Sequence, residues 1–221
     1  MPEKWEHAQG LRDIAGCKSV LEIGSGFGDF VKLARESLGV QVQGVERNPL
    51  AIQEARARGI ALQEVDLAEI LKSSAGTFDA VCSFQGLEHV PHPKEFLQQC
   101  CELLASSGRL ILGLPNADSF LRLQSNILDL PPHHCSRWPL STVRRLPRLF
   151  PLRLLRIALE PLTEHHVDGY VAAHTDRLAR TALPRANHPL VQSRLIRFLI
   201  RTGFRKFLEG MTVYAVFEKI G

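Results

Sequence analysis

The chain has 221 residues, 45% of them hydrophobic, and a formal charge of +4 at pH 7 with an isoelectric point near 8.9. This composition excludes a largely disordered chain and predicts a single domain with a sizeable core. The basic charge suits an anionic substrate or a membrane surface, but it is too weak to indicate nucleic-acid binding.

The cysteines and the N-terminal sequence bear on the cellular compartment. Five cysteines leave at least one unpaired in any intramolecular disulfide scheme, and no pair has metal-site spacing, which favours a reducing compartment. The first residues, MPEKWEHAQG, lack the apolar core of a signal peptide, and no later apolar run is long enough to span a membrane. We therefore expect a cytoplasmic protein.

A glycine-rich turn follows the first predicted strand, in the sequence VLEIGSGFGDF over residues 20–30. About twenty residues precede it, and their Trp5 and His7 are predicted to fold over the cleft. A strand, a flexible turn and a helix start bring backbone N–H groups close to a bound nucleoside. This stretch is therefore the first candidate for a ligand site.

Strands and helices alternate after the turn. Helices are predicted at residues 29–38 and 49–58 and before Gly108, and strands at residues 40–45, 60–65, 80–83 and 109–114. This alternation predicts a doubly wound α/β fold with a mostly parallel sheet, in which ligands bind at the carboxyl ends of the strands.

The pattern changes after Pro115. The sequence predicts a helix over residues 141–149 capped by Ser141, a sixth strand over residues 152–159, helices over residues 163–208 broken near Pro184 and Pro189, and a last strand over residues 212–218. A less favoured register places the sixth strand at residues 204–208. We expect a core over residues 1–116 and a helical substrate-binding or lid segment over residues 117–221, which also carries the final strands, within one domain.

The residues around the turn resemble a known enzyme family. Glu22 precedes the first glycine, so the turn reads E-x-G-x-G-x-G, and no Gly-Lys-Ser/Thr phosphate loop follows it. With Glu46, Asp66 and the stretch FDAVCSFQGLEHVPHP, this pattern resembles class I S-adenosylmethionine-dependent methyltransferases over residues 19–116. The resemblance implies a seven-stranded Rossmann-like sheet whose last strand is antiparallel, with S-adenosyl-L-methionine as cofactor and S-adenosyl-L-homocysteine as product.

The resemblance also implies a set of cofactor-binding residues. They are Glu22, Gly24, Ser25, Gly26, Gly28, Glu46, Arg47, Asp66, Leu67, Ser83, Phe84 and Gln85. Glu46, about twenty residues after the turn, is expected to accept the ribose hydroxyls, unless it is only a solvated carboxylate at a strand end. Asp66 is expected to contact the adenine amino group, or else to cap a helix, and Phe84 either meets the methyl donor or belongs to the core.

The sequence LPPHHCSRW, residues 130–138, supplies the candidate catalytic residues. It resembles a segment of a small-molecule and glycan-tailoring branch of the family. Two prolines restrict the backbone, so His133 or His134 is the first candidate for a general base, with His89 behind them, unless both are structural. One histidine is expected to face the cleft and the other to brace the loop. We predict no metal site, because His-His-Cys in three consecutive residues rarely converges on one ion.

These features predict methyl transfer to a small-molecule acceptor, such as a hydroxyl on a sugar, a lipid-linked molecule or another anionic metabolite. Residues 130–159 contain six arginines and no acidic residue. They form either a solvated face, a site for an acidic acceptor or a weak contact with a membrane surface. The alternatives are a catalytically silent S-adenosylmethionine-binding regulatory subunit and an RNA or protein methyltransferase. The sequence specifies neither the acceptor atom nor an oligomeric state.

Overall fold

A computed structural model describes residues 4–123, 129–181 and 194–221. A seven-stranded sheet runs through this part of the chain in the order β3-β2-β1-β4-β5-β7-β6. The strands are Ser19–Ile23 (β1), Gln41–Val45 (β2), Leu62–Gln63 (β3), Phe78–Phe84 (β4), Leu104–Pro115 (β5), Leu152–Pro161 (β6) and Glu209–Lys219 (β7). The α-helices are Trp5–Asp13 (α1), Asp29–Leu38 (α2), Pro49–Ala57 (α3), Leu67–Ser74 (α4), Pro93–Leu103 (α5), Leu140–Val143 (α6), Val167–Thr181 (α7) and Arg194–Thr202 (α8).

The direction of the strands confirms the predicted fold class. β1 pairs in parallel with β2 and β4, and β3 and β5 extend this parallel sheet on either side. β7 lies antiparallel between β5 and β6. The result is a doubly wound α/β sheet whose last strand is antiparallel.

Alternating residues of the strands build a core on each face of the sheet. Leu21 and Val81 pack with α4 and α5 on one face, and Val20 and Ala80 pack with α1, α2 and α3 on the other. Neighbouring side chains of a strand point to opposite faces, and both faces are covered by helices. This explains why the strands read as continuous apolar runs.

The N-terminal residues form a helix that belongs to the core. The His7 ring lies 5.4 Å from the ring of Phe30 and 5.1 Å from that of Phe84, and Trp5 packs edge-on against Tyr214. The predicted position of Trp5 and His7 over the cleft is therefore wrong. The sequence did not indicate this helix, because the stretch contains few apolar residues and several of the residues that it buries are polar.

Two predicted boundaries are also wrong, in each case for a local reason. The helix over residues 141–149 is replaced by the single turn α6, with Pro139 at its N-cap, and by a 3₁₀ turn at Leu146–Arg148, because Pro147 interrupts helical hydrogen bonding. α5 ends at Leu103, and Gly108 lies inside β5, where a Cβ would come within 2.9 Å of the Ala105 carbonyl. The sixth strand lies at Leu152–Pro161, which confirms the favoured register, and residues 204–207 of the less favoured register form a 3₁₀ helix.

A third, smaller cluster supports the C-terminal half. Phe120, Leu162, Val167 and Val171 pack together where the chain leaves β5 and enters α7. The predicted helix breaks near Pro184 and Pro189 lie outside the described residues. None of the described helices is both long and apolar enough to cross a membrane.

Gly28→Ala is expected to destabilise the fold by about 2–4 kcal/mol. Gly28 has φ +76°, and a Cβ there would lie 2.6 Å from Cγ2 of Ile60. Both backbone strain and overpacking therefore destabilise the variant. Gly39→Ala is the matched control, because Gly39 also has positive φ but a Cβ there meets no atom within 4 Å. Urea denaturation measures both, and equal losses would contradict the role of Ile60.

Candidate functional site

A cavity of about 540 Å³ opens at the carboxyl ends of β1, β2, β3 and β4. Parallel strands place their ends at one edge of a sheet, which is where α/β folds bind ligands. The predicted site residues that line this cavity are Gly24, Glu46, Arg47, Asp66, Leu67, Ser83 and His89. The remaining predicted residues are not among those that line it: Glu22, Ser25, Gly26, Gly28, Phe84, Gln85, His133 and His134.

Glu46 connects the end of β2 to the glycine turn. One carboxylate oxygen, Oε2, accepts a hydrogen bond of 2.7 Å from the Gly26 backbone N–H. The other, Oε1, accepts bonds of 2.8 and 2.9 Å from the N–H groups of Arg47 and Asn48. Since a carboxylate has about four acceptor positions, about one remains for a ligand hydroxyl while the bond to Gly26 is in place.

Glu22 is a buried carboxyl group directly before the turn. The residue is 2% exposed, and its Oε2 has no hydrogen-bond partner. Burial raises the pKa of Glu22 from 4.5 to about 8. A buried polar atom without a partner is uncommon in folded proteins, so Glu22 is a strong candidate for binding a cationic group of a ligand.

Arg47 and Asp66 meet across the outer wall of the cavity. Arg47 Nη1 lies 3.4 Å from Asp66 Oδ1, and both side chains are exposed. Asp66 occupies the N-cap position of α4, but its side chain makes no capping hydrogen bond there. An exposed pair of this kind contributes little to stability, so a ligand can displace it at low cost.

The end of β4 contains residues with different surroundings. Ser83 lines the cavity, and its hydroxyl oxygen is buried without a hydrogen-bond partner. Phe84 packs its ring 4.7 Å from that of Phe30 and belongs to the core, in agreement with the alternative left open by the sequence. Gln85 has φ +52° and donates its N–H to the Gly113 carbonyl at 2.8 Å, so it anchors the turn after β4.

The Pro-Pro-His-His segment docks on the 3₁₀ turn at Leu87–His89. The N–H groups of Cys135 and Ser136 donate to the Glu88 carbonyl at 2.7 and 3.2 Å. His89 Nδ1 lies 2.8 Å from the His133 carbonyl oxygen. Because a carbonyl only accepts, Nδ1 carries the proton, and Nε2 is the basic nitrogen of neutral His89.

The two adjacent histidines have different partners. His134 Nδ1 lies 3.1 Å from Asp129 Oδ1, and Arg137 holds the other oxygen of Asp129 at 2.6 Å. The His134 ring lies 4.9 Å from the His89 ring. The exposed His133 contributes its carbonyl to His89 and stacks its ring on His134.

Comparison with known proteins assigns the chain to a family. A family model described as a methyltransferase domain matches residues 9–157. The chain belongs to this methyltransferase-domain family. A relative is the ubiquinone biosynthesis O-methyltransferase of Xanthomonas oryzae pv. oryzae (strain PXO99A), which is 31% identical over 121 residues, 52% of this chain and 50% of that protein. The chain thus spans about half the length of the curated relatives that it matches.

Solved structures share the fold of this methyltransferase domain. A SAM-dependent methyltransferase from Archaeoglobus fulgidus superposes with a TM-score of 0.64 at 22% identity, covering 96% of this chain and 92% of that one. The plantazolicin methyltransferase BpumL, solved in complex with SAH, gives a TM-score of 0.60 at 18% identity, covering 98% of this chain and 82% of that one. At these identities the likeness shows the fold alone.

The sequence did not identify two groups of residues at the site of this methyltransferase domain. His92, Glu95, Phe96 and Gln99 line the cavity from one face of α5 and its N-cap. Their spacing places them on one face of a helix, and this spacing could have indicated them from the sequence. The other is Glu88, which is 1% exposed, has an unpartnered Oε2, and has its pKa raised from 4.5 to about 7 by burial. The segment that docks on Glu88 through the N–H groups of residues 135 and 136 is distant in sequence, so no local pattern indicates this contact.

The six arginines of residues 130–159 divide into two groups. Arg137, Arg153 and Arg156 pair with Asp129, Glu218 and Asp13 respectively. Arg144, Arg145 and Arg148 are exposed and have no acidic partner in the described part of the chain. Half of these six arginines therefore contribute to structure. The other half is available to solvent, to an acidic acceptor or to a membrane surface.

Proposed function

We propose that the protein transfers a methyl group from S-adenosylmethionine to a hydroxyl group of a small molecule. The observation that carries the proposal is the glycine turn, which lies between Glu46, a carboxylate that lines a cavity of about 540 Å³ with Gly24, and Glu22, a buried carboxyl group with an unpartnered oxygen directly before the turn. Family membership supports the reaction class. The name of the Xanthomonas relative, an O-methyltransferase, supports oxygen as the acceptor atom.

The residues of the turn fit this cofactor. A Cβ placed on Gly24 or Gly26 meets no atom within 4 Å, so the bare backbone borders open space. Glu22 offers an unpartnered oxygen to the cofactor's ammonium group, and Glu46 and the turn offer an acceptor and N–H donors to its ribose and carboxylate. Asp66 and Leu67, on the opposite wall, would hold the adenine ring.

The chain's main task in this reaction is to position the acceptor. S-adenosylmethionine supplies an electrophilic methyl group on a sulfonium when it is bound. Ser83 and Gly86 at the end of β4, together with His89, line the part of the cavity where an acceptor oxygen would be aligned. Correct alignment and exclusion of water can lower a barrier by about 7–11 kcal/mol.

A hydroxyl acceptor must also lose its proton. Glu88, His89 and His134, which we call the histidine–carboxylate cluster, each offer a ligand atom, and these atoms lie within 4.8 Å of one another. His89 lies on the cavity wall with its basic Nε2 available. We place the loss of the hydroxyl proton at this cluster.

The nature of the acceptor is part of the proposal. We propose a small anionic or lipid-linked hydroxyl compound, because Arg144, Arg145 and Arg148 have no acidic partner among the described residues and the chain is basic. Weak contact with a membrane surface is proposed on the same charge pattern, and a cytoplasmic location is proposed on the five free cysteines. Incubation with S-adenosylmethionine and a panel of phenols, catechols, sugars and hydroxy acids, with release of S-adenosylhomocysteine as readout, tests transfer directly.

Glu46→Ala is expected to weaken binding of S-adenosylhomocysteine by about 10- to 100-fold. The variant loses a charge-assisted hydrogen bond to the ribose, worth roughly 1.5–3 kcal/mol, and the bond that orders Gly26. Isothermal titration calorimetry gives the affinity. Glu64→Ala is the matched control, since Glu64 is a nearby exposed carboxylate outside the cavity wall. Equal affinity of the Glu46 variant and the wild type would contradict the cofactor site.

The same assays separate the alternatives. A protein that binds S-adenosylhomocysteine tightly but methylates no compound of the panel would be a regulatory subunit. Binding of RNA that weakens steeply with salt would favour an RNA methyltransferase.

A further inference from the structure

We propose that Glu88, His89 and His134 bind a divalent transition-metal ion beside the cofactor cavity. Two imidazoles and one carboxylate approach from two segments that are 45 residues apart in sequence, counted from His89 to His134. The site is additional to the cofactor site, and only its role in catalysis rests on the proposed function.

The hydrogen bonds of the two histidines leave one nitrogen of each available for a metal. His89 donates from Nδ1 to the His133 carbonyl, and His134 directs Nδ1 to Asp129. Metal-binding histidines usually have this arrangement, in which an outer carbonyl or carboxylate fixes the tautomer and the ring orientation. The Asp129–Arg137 ion pair holds the outer partner of His134 in place.

The side chain of Glu88 is an independent indication of a cation site. Its side chain is almost fully buried, its Oε2 has no hydrogen-bond partner, and its Oε1 lies 4.0 Å from His89 Nε2. A buried carboxylate without a partner is costly unless a cation or a donor satisfies it. A metal ion is a charge that both imidazoles and this carboxylate can bind at the same time.

The size of the cluster is compatible with an ion after a small movement. Ligand atoms around a tetrahedral ion are about 3.4 Å apart, given metal–ligand distances of about 2.1 Å. The cluster atoms lie within 4.8 Å of one another, so side-chain rotations that move each ligand atom by about 1 Å would bring them to bonding distance of one ion. Mixed nitrogen and oxygen ligands favour Zn²⁺, Co²⁺, Mn²⁺ or Fe²⁺ over Mg²⁺ and Ca²⁺.

Three protein ligands leave coordination positions free for an acceptor oxygen. In this arrangement the acceptor hydroxyl binds the ion and its O–H bond breaks, with the proton passing to solvent water. The oxygen then forms a bond to the methyl carbon. The carbon–sulfur bond breaks with its electron pair, so that the sulfonium becomes a neutral thioether.

Titration with Co²⁺ tests the site without any acceptor. The protein is stripped with EDTA, dialysed and titrated with CoCl₂ while visible absorption is recorded. We expect one Co²⁺ per chain, displaceable by Zn²⁺. Glu88→Gln and His134→Ala are expected to weaken binding by about 100-fold or more, and Asp129→Asn, at a positioning residue, by about 10- to 100-fold.

Two neighbouring variants serve as matched controls. His133→Ala keeps the backbone carbonyl that holds His89, and Cys135→Ser removes an exposed thiol beside the site, so both should retain Co²⁺ affinity. Absence of saturable Co²⁺ binding, or equal affinity in Glu88→Gln, would overturn the proposal. Loss of binding in Cys135→Ser alone would overturn it as well. Calorimetry with S-adenosylhomocysteine on the same samples reports separately on the cofactor site and the folding of each variant.

Discussion

Glu22→Gln is expected to stabilise the ligand-free protein at pH 8 and at the same time to weaken binding of S-adenosylhomocysteine. Burial raises the pKa of Glu22 from 4.5 to about 8, because the folded protein disfavours the charged form. A group whose pKa is raised on folding contributes stability that is complete below the unfolded pKa and is lost as pH rises through the folded value. Glutamine stays neutral, so it does not suffer this loss between pH 4.5 and 8.

The size of the effect follows from linkage. Each unit of pKa shift corresponds to about 1.4 kcal/mol, which makes several kcal/mol an upper limit for a shift of this extent. The buried amide of glutamine needs its own partners at every pH, so it lowers the stability of the variant but cancels from the change with pH. Relaxation of the protein and water around a buried charge keeps the change below the upper limit. From pH 5 to pH 8.5, we expect the free energy of unfolding of the variant to rise relative to that of the wild type by on the order of 2–3 kcal/mol.

The difference between the two proteins isolates Glu22 from other buried carboxyl groups. Burial also raises the pKa values of Glu6 and Glu88, but these groups are present in both proteins. Urea denaturation across this pH range measures the effect, with Glu64→Gln as an exposed control. Parallel pH profiles for the Glu22 variant and the wild type would contradict the buried, unpartnered carboxyl group.

The same variant should change the pH dependence of cofactor binding. In the wild type, Glu22 must lose its proton to pair with the ligand ammonium, so affinity for S-adenosylhomocysteine should rise by up to about tenfold per pH unit between pH 6 and 8. The glutamine variant should bind about 10- to 100-fold more weakly at pH 8, without this rise. Calorimetry in buffers of different ionisation enthalpy would also detect release of the proton in the wild type alone.

The parts of the fold that depend on local patterns could be predicted from the sequence. Consecutive residues specify the order of strand, glycine turn and helix over residues 19–38. They also specify the alternation of strands and helices up to β5. The carboxyl ends of those strands then had to share one edge of the sheet, which placed Glu46, Asp66 and Ser83 in one cavity. The physical reason is that these features involve neighbours in sequence and one general rule of topology.

The features that escaped prediction depend on contacts between distant segments. The backbone carbonyl of the buried residue Glu88 accepts hydrogen bonds from residues 135 and 136, which are 47 and 48 positions away in sequence. His134 joins Glu88 and His89 only because this docking brings the two segments together. The sequence-based argument against a metal considered three consecutive residues, and no periodicity reveals a cluster of this kind.

His89→Ala and His134→Ala are expected to lower methyl transfer by about 10²- to 10⁴-fold, with affinity for S-adenosylhomocysteine preserved. Both side chains belong to the cluster at which we propose that the acceptor proton is lost. His133→Ala should cost much less, since its carbonyl continues to orient His89. His165→Ala, at an exposed histidine in the turn before α7, should leave transfer unchanged. Initial rates with the best acceptor of the panel, with affinity measured in parallel, give the comparison.

Metal removal then decides how the cluster acts. If the cluster binds an ion, EDTA should abolish transfer by the wild type, and added Zn²⁺, Co²⁺ or Mn²⁺ should restore it. If His89 Nε2 instead takes the proton directly, EDTA should have no effect on the rate. Full activity in both the His89 and His134 variants would exclude either role, and would leave the alignment of the acceptor along the cavity wall as the chain's contribution to the reaction.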